Sequence, residues 1–277
     1  MTGAEPRDSV TAMMERLLRD AGLAECRRIL DVGCGRGDVT WMAARVAEGA
    51  RVLGVDRDAS AVAAATSRRG SGVENPSFVV QDLGTITSEL GSFDAIIGRR
   101  VLMYVRDRGA AIRTLASVLD PGGILVFQEA DATMTPASIR RFPLHEQVHR
   151  WMWDTVVGEG ATRSVGFELP GLFEAAGLVV EGVRAEAIVE TAGHRLPTAN
   201  VIRVMLPRIV AQGIATEQEI DIDTLDSRLA DEFAQLAGSA YVGGMAFSAW
   251  ARKPRRARAV GPATPPACSH ERAETDE

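Results

Sequence analysis

Apolar positions along the 277-residue chain change period several times, and each change marks an element. Val10, Met13, Met14, Leu17 and Leu18 recur at helical spacing within residues 8–21, and Gly22 supplies a stop. The run Arg28-Ile29-Leu30-Asp31-Val32 reads as a buried strand. Regular alternation follows, with helices over 39–46, 59–67 and 110–119 and strands over 52–55, 78–80, 93–97 and 124–128. Strands separated by single helices predict a parallel, doubly wound sheet, because parallel neighbours need crossover connections.

The alternation then breaks. Residues 132–170 carry a helical segment rich in His, Trp and Met, and a short helix over 171–176 precedes a strand over 178–188. Residues 191–238 are again helical, with Pro207 kinking or interrupting the first piece and Thr216 and Glu219 spaced as a capping box. A last strand covers 241–251. From residue 254 the composition turns to Pro, Ala, Arg and Glu without an apolar period, which predicts a disordered tail. The expected organisation is a helical lid over 1–24, one α/β domain over 25–253 with insertions at about 132–170 and 191–238, and the tail over 254–277.

Composition narrows the function. Hydrophobic residues at 46% and charged residues at 25% suit a globular protein. No apolar run reaches membrane-span length and no basic-then-apolar leader is present, so the expected compartment is the cytosol, with no membrane partner. A net charge of −6 argues against a broad nucleic-acid surface. Cys26, Cys34 and Cys268 form neither a disulfide framework nor a Cys-rich zinc site. One lysine against thirty arginines reads as codon bias rather than chemistry.

The chemistry concentrates in Ile29-Leu30-Asp31-Val32-Gly33-Cys34-Gly35-Arg36-Gly37-Asp38. A strand runs into three alternate glycines and then a helix, and such glycines let a ligand lie against bare backbone. A dinucleotide fingerprint would need its third glycine at Asp38. The second strand ends in Asp56, placed to accept hydrogen bonds from ribose hydroxyls. The third ends in Gln81-Asp82-Leu83, where a carboxylate can meet an exocyclic amine. Any one acid read singly is a solvated strand end or helix cap. Three acids and three glycines at successive strand ends mark the edge where open α/β sheets bind ligands.

In these residues the chain resembles the class I S-adenosylmethionine-dependent methyltransferases, over about 25–130 by motif and 171–252 by layout. Asp31, Gly33, Gly35 and Gly37 match the family's first loop, Asp56 its ribose acid and Asp82 its adenine-side acid. Leu119-Asp120-Pro121-Gly122-Gly123 resembles its L-x-P-G-G turn. The resemblance implies a Rossmann-like doubly wound seven-stranded sheet with helical caps after strands 5 and 6. It implies S-adenosylmethionine as cofactor and S-adenosylhomocysteine as product. It puts Asp31 and the glycine loop at the methionine end and Asp38 near the amino group, with Cys34, Arg57, Leu83 and Arg99 beside the same edge.

Gly98-Arg99-Arg100-Val101-Leu102-Met103-Tyr104 follows the fourth strand. It lacks the acid-or-Asn Pro-Pro-aromatic motif of nucleic-acid amino-methyltransferases and the aspartate of metal-dependent catechol-type enzymes, so neither nucleic acid nor metal is expected. Covers at the carboxyl edge imply an enclosed pocket for a small molecule. In the first cap His145, His149, Met152 and Trp153 share a helical face suited to an aromatic or heteroaromatic acceptor. The alternative packs Met152 and Trp153 on the core with the histidines half-exposed. His145, His149 and Glu129 are the catalytic candidates, and Arg100 and Tyr104 join Met152 and Trp153 as pocket candidates. Glu129 alternatively binds a helix terminus or pairs with Arg99 or Arg100.

The expected function is methyl transfer to a small, aromatic or heterocyclic specialised metabolite at carbon, nitrogen or oxygen, as in antibiotic biosynthesis, by a monomer or homodimer. Three rivals stand beside it. One is a nucleotide-dependent oxidoreductase, disfavoured by Asp38. Another is a non-methylating cyclase or ligand-binding descendant that keeps the cofactor residues. The last is a zinc peptidase, because His145-Glu146-Gln147-Val148-His149 is a literal H-E-x-x-H, although His194 and His270 are the only other histidines.

Overall fold

The computed structural model describes residues 9–68, 75–236 and 238–255. The expected tail from 256 onward and residues 1–8 of the expected lid lie outside the described residues. In chain order the elements are α1 (Ser9–Asp20), β1 (Arg28–Val32), α2 (Asp38–Val46), β2 (Arg51–Asp56), α3 (Ala59–Ser67), β3 (Ser77–Val80), β4 (Phe93–Arg99), α4 (Arg108–Val118) and β5 (Leu119–Asp131). After them come α5 (Pro143–Gly158), α6 (Val165–Ala175), β6 (Val179–Glu190), α7 (Thr198–Ala211), α8 (Glu217–Ile220), α9 (Leu225–Gln235) and β7 (Tyr241–Arg252).

The seven strands form one sheet in the order β3-β2-β1-β4-β5-β7-β6. Pairing is parallel among β1 to β5, and β7 inserts antiparallel between β5 and β6. The chain reverses outward from β1 in both directions, so the first loop and the turn after β4 open side by side at the carboxyl edge. This is the doubly wound sheet that the alternation predicts, in the Rossmann-like seven-stranded form that the resemblance implies.

Two cores hold the layers. On one face Met14, Leu17 and Leu18 of α1 pack with Met42 and Ala43 of α2 over Ile97 and Val126. On the other face Leu115 of α4 and Phe173 of α6 pack over Leu30, Ile96, Leu125 and Phe127. That core continues into the cap helices through Trp153, Ile202, Met205, Ile209 and Leu229. Helix α1 is the described part of the segment expected as a lid. Its apolar stripe covers the sheet face, while Arg16 pairs with Glu186 and Asp20 with Arg184 on β6.

Three local differences have physical reasons. Helix α6 begins at Val165, ahead of the short helix expected after Pro170. Pro170 lies inside it, forfeiting a bond toward Gly166, whose missing side chain lets the helix sit on Phe247. Pro207 is likewise carried within α7. The turn expected at residues 119–123 is absorbed into β5 as an irregularity, with Phe93 opposite Leu119 and then Ala95 opposite Ile124. Thr216 and Glu219 form the capping box at the start of α8.

Candidate active site

The loop between β1 and α2 is built on positive-φ glycines. Gly33 has φ 62 and Gly35 φ 53. A Cβ on Gly33 would lie 2.6 Å from Cγ2 of Val101, so the loop closes on the turn after β4 only without a side chain there. A Cβ on Gly35 would meet nothing within 4 Å, so its backbone faces open space. The amide of Gly35 donates to Oδ2 of Asp56 at 2.8 Å, and Asp58 N donates to the other carboxylate oxygen at 2.9 Å. Asp56 is thus half-buried at the end of β2 with its carboxylate against the glycine loop. Asp82 is exposed at the end of β3 and accepts from Gly84 N at 2.8 Å, while Leu83 packs partly into the main core. Arg57 is exposed and Arg99 half-buried on the same edge. Cys34 is buried, and burial first, then Asp31 and Asp56, push its thiol up to about 12.

Two loop acids depart from expectation. Asp31 is 1% exposed, beneath the loop and off its open face. Thr40 Oγ1 donates to its Oδ2 at 2.6 Å, tying β1 to α2. Burial pushes its carboxyl up to about 7, against the Thr40 hydrogen bond and the Arg99 charge. Asp38 pairs with Arg68 at 2.5 Å, and Arg68 also bonds the Arg36 carbonyl, so Asp38 is turned to the end of α3.

The turn after β4 is pinned from β5. Arg100 takes φ 55, a left-handed conformation uncommon outside glycine, with its amide donating to Gln128 O at 2.8 Å. Glu129 is fully buried and accepts from the amides of Val101 (3.0 Å), Leu102 (2.9 Å) and Met103 (3.4 Å). Burial pushes its carboxyl up to about 7, opposed by those three amides. This corrects the catalytic expectation for Glu129: it is sealed from solvent and its carboxylate holds the turn, which is the helix-terminus alternative. Tyr104, 44% exposed, follows, and burial raises its phenol while Arg100 and Arg208 act the other way.

Helix α5 corrects the shared-face reading. His145 is 4% exposed among Phe142, Phe233 and Tyr241, and its Nδ1 lies 2.5 Å from Oε2 of Glu232. The Glu232 carboxylate also accepts from the amides of Leu144 (2.9 Å) and His145 (3.1 Å), so this contact docks α9 on the start of α5. Trp153 is 7% exposed in the main core and Met152 packs against it. The face expected to line a pocket is interior, because the neighbouring cap helices cover it. His149, also 7% exposed, keeps a distinct character: its Nε2 has no hydrogen-bond partner among the described residues. Burial, with Arg163 and Arg150, pushes its imidazole down to about 4, so it is neutral at pH 7. His145 and His149 do not form a metal-ligand set, and no group of three or more His, Cys, Asp or Glu suited to a metal occurs among the described residues. No helix there is long and apolar enough to cross a membrane.

Sequence reasoning missed Thr40, Val101 and Glu232. Val101 and Glu232 meet their partners across long separations. Thr40 is near Asp31 in sequence but carries no motif.

The sequence matches a methyltransferase domain over residues 24–165, just over half of the chain. It is 30% identical to the trans-aconitate 2-methyltransferase of Variovorax paradoxus over 129 residues, 47% of this chain and 48% of that protein. It is 32% identical to the ubiquinone biosynthesis O-methyltransferase of a Bradyrhizobium species over 120 residues, 43% of this chain and 46% of that one. The matched stretch therefore spans about half the length of these curated relatives. Among solved structures the fold is similar to phosphoethanolamine N-methyltransferase 2 of Haemonchus contortus, solved with phosphomonomethylethanolamine and S-adenosylhomocysteine. There the TM-score is 0.57 at 18% identity, covering 88% of this chain and 53% of that one.

Proposed function

The chain belongs to the methyltransferase-domain family, and from that premise we propose that it transfers the methyl group of S-adenosylmethionine to a small molecule. The observation that carries this reading is the bare backbone at Gly35 with the Asp56 carboxylate set against it. Open space above a positive-φ glycine and an acceptor carboxylate at the adjacent strand end fit an adenosyl amino acid. The bound cofactor supplies an electrophilic methyl carbon on a sulfonium. Gly33, Cys34, Gly35 and Gly37 form the floor beneath its methionine end. Asp56 accepts from the ribose hydroxyls, each such bond worth roughly 1.5–3 kcal/mol because the acceptor is charged. Asp82 and Leu83 flank the adenine, and Arg57 and Arg99 complete the edge.

The acceptor in this reading is a small aromatic or heterocyclic specialised metabolite, handled in the cytosol. Both curated relatives carry names that specify small molecules, trans-aconitate and an intermediate of ubiquinone biosynthesis. Holding two reactants in line supplies much of the rate, roughly 7–11 kcal/mol of barrier for well-oriented pairs. Arg100 and Tyr104 stand at the turn beside the glycine loop and line the acceptor's approach. His149 is a candidate to take the acceptor's proton through its unpartnered Nε2, although the burial that pushes its imidazole down to about 4 weakens it as a base.

The test combines calorimetry of S-adenosylmethionine binding with a screen of acceptors using labelled cofactor methyl. Binding that weakens in Asp56→Ala, with label appearing in a small acceptor, supports the reading. Absence of binding to the wild-type chain overturns it. Binding with no transfer across a broad acceptor panel favours the cyclase or ligand-binding descendant.

A further inference from the structure

The outer edge of the sheet carries a pattern that methyl transfer does not use. β6 is the last strand in the order, so its outer backbone edge has no strand partner among the described residues. Val183, Ala185 and Ala187 lie opposite Ala249, Phe247 and Met245 of β7, on the face that Phe247 turns to α6. Val183 is 50% exposed, and Phe167 of α6, 55% exposed, extends the apolar strip by packing on Phe247 with ring centroids 4.6 Å apart. The other face of β6 alternates in charge. Arg184 pairs with Asp20 and Glu186 with Arg16 of α1, and each side chain keeps part of its surface exposed, 30% for Arg184 and 19% for Glu186.

We propose that β6 pairs antiparallel with β6 of a second copy of this chain about a two-fold axis at Ala185, making a homodimer with one continuous sheet. In that register Arg184 lies opposite Glu186 of the second copy, twice by symmetry. Directly opposed residues have Cβ atoms about 4.5–5.5 Å apart, close enough for each guanidinium to meet a carboxylate. On the apolar face Val183 meets Ala187 and Ala185 meets itself. Moving the axis to Arg184 or Glu186 opposes like charges, and a one-residue slip turns the apolar positions onto the charged face.

The strand is also built to pair. It runs 12 residues without proline, a residue that commonly blunts sheet edges. Its own bulge is confined to Glu181, and the second irregularity lies on the β7 side at Gly243, so residues 182–190 run straight. Self-complementary charge order is what selects a second copy over an unrelated strand. The proposal rests on the fold and is independent of the reaction.

Sedimentation velocity on the full chain at micromolar concentrations is the test. The wild type is expected to sediment as a dimer. Ala185→Lys and Ala185→Glu each place like charges across the axis and are expected to weaken association at least roughly tenfold. Their equimolar mixture is expected to recover the dimer, because lysine then opposes glutamate. Thermal melts verify that both variants fold. If either variant fails to fold, amide exchange in β6 of the wild type provides the readout, slowing as concentration rises. A monomeric wild type, a dimer that survives both single variants, a mixture that stays monomeric or concentration-independent exchange in β6 overturns the proposal.

Discussion

Val101 occupies the space that a side chain on Gly33 would take, with a built Cβ falling 2.6 Å from Val101 Cγ2. Val101 is held there by Glu129, which accepts its amide from β5. Three strand ends are thus locked together: β1 through the glycine, β4 through the valine and β5 through the carboxylate. Gly33→Ala is expected to cost about 1–2 kcal/mol for the left-handed backbone alone, with the clash adding to it. Val101→Ala in the same chain removes the clash but not the backbone cost, so it restores only part of the loss. Chemical denaturation of the two single variants and the double variant checks this. Full additivity would mean the contact is not what excludes a side chain at Gly33.

Asp31 gives a pH dependence whose sign is fixed. Its carboxyl is raised from the ordinary 3.8 to about 7, mainly by burial. Between those values the folded chain keeps a proton that the unfolded chain has released. The stabilisation it brings is therefore present below about pH 4 and is lost as pH rises through about 7. Asp31→Asn keeps an acceptor for Thr40 and removes the titration. The variant is expected to gain stability relative to the wild type between pH 5 and pH 8, read by urea melts at both ends. Parallel pH profiles for the two proteins would contradict the buried, protonated acid.

Glu232 satisfies two amides of α5 and the ring of His145 at once. Glu232→Ala strands those donors and is expected to cost roughly 1–3 kcal/mol for each buried group left unpaired. His145→Phe keeps the aromatic packing and both amide bonds, so it is expected to cost less. Both are expected to leave turnover of the folded protein near normal. Lost turnover in His145→Phe at undiminished stability would return His145 to catalysis.

How much of this was legible in the sequence depended on range. The strands and the glycine loop follow from local period and local spacing, and they appear in the structure within a few residues. Asp56 and Asp82 were located because a strand end is itself a local signal. Asp31 and Glu129 were located too, but burial decides what a carboxylate does, and period alone does not show which strand-end acid has its carboxylate holding backbone amides. The α5 face was legible as a face, not as a direction. Helical spacing groups His145, His149 and Trp153, while the helices packed over them, α7 and α9, arrive more than forty residues later. Arg100 at φ 55 had no sequence sign, since arginine does not mark left-handed turns.

The last prediction separates packing from chemistry on α5. Trp153 is 7% exposed in the main core, with the Arg163 guanidinium 6.0 Å from its ring centroid. Trp153→Ala is expected to cost about 3–5 kcal/mol, the usual range for a buried large aromatic. Cofactor affinity and acceptor kinetics of the surviving folded protein are expected to stay near normal. His149 has a different signature. Its imidazole is lowered from 6.5 to about 4, so the unfolded chain binds a proton between those values that the folded chain refuses. Its contribution is present above pH 6.5 and is lost as pH falls through about 4, so His149→Phe is expected to flatten the acid limb of the stability profile. If Nε2 takes the acceptor's proton, the same variant slows turnover at saturating cofactor while cofactor affinity holds, and the acid limb of the rate profile disappears with it. Melting curves, calorimetry and pH–rate profiles on the two variants are the measurements. A flattened stability profile with unchanged turnover would leave His149 as a buried neutral ring with no part in the proton transfer.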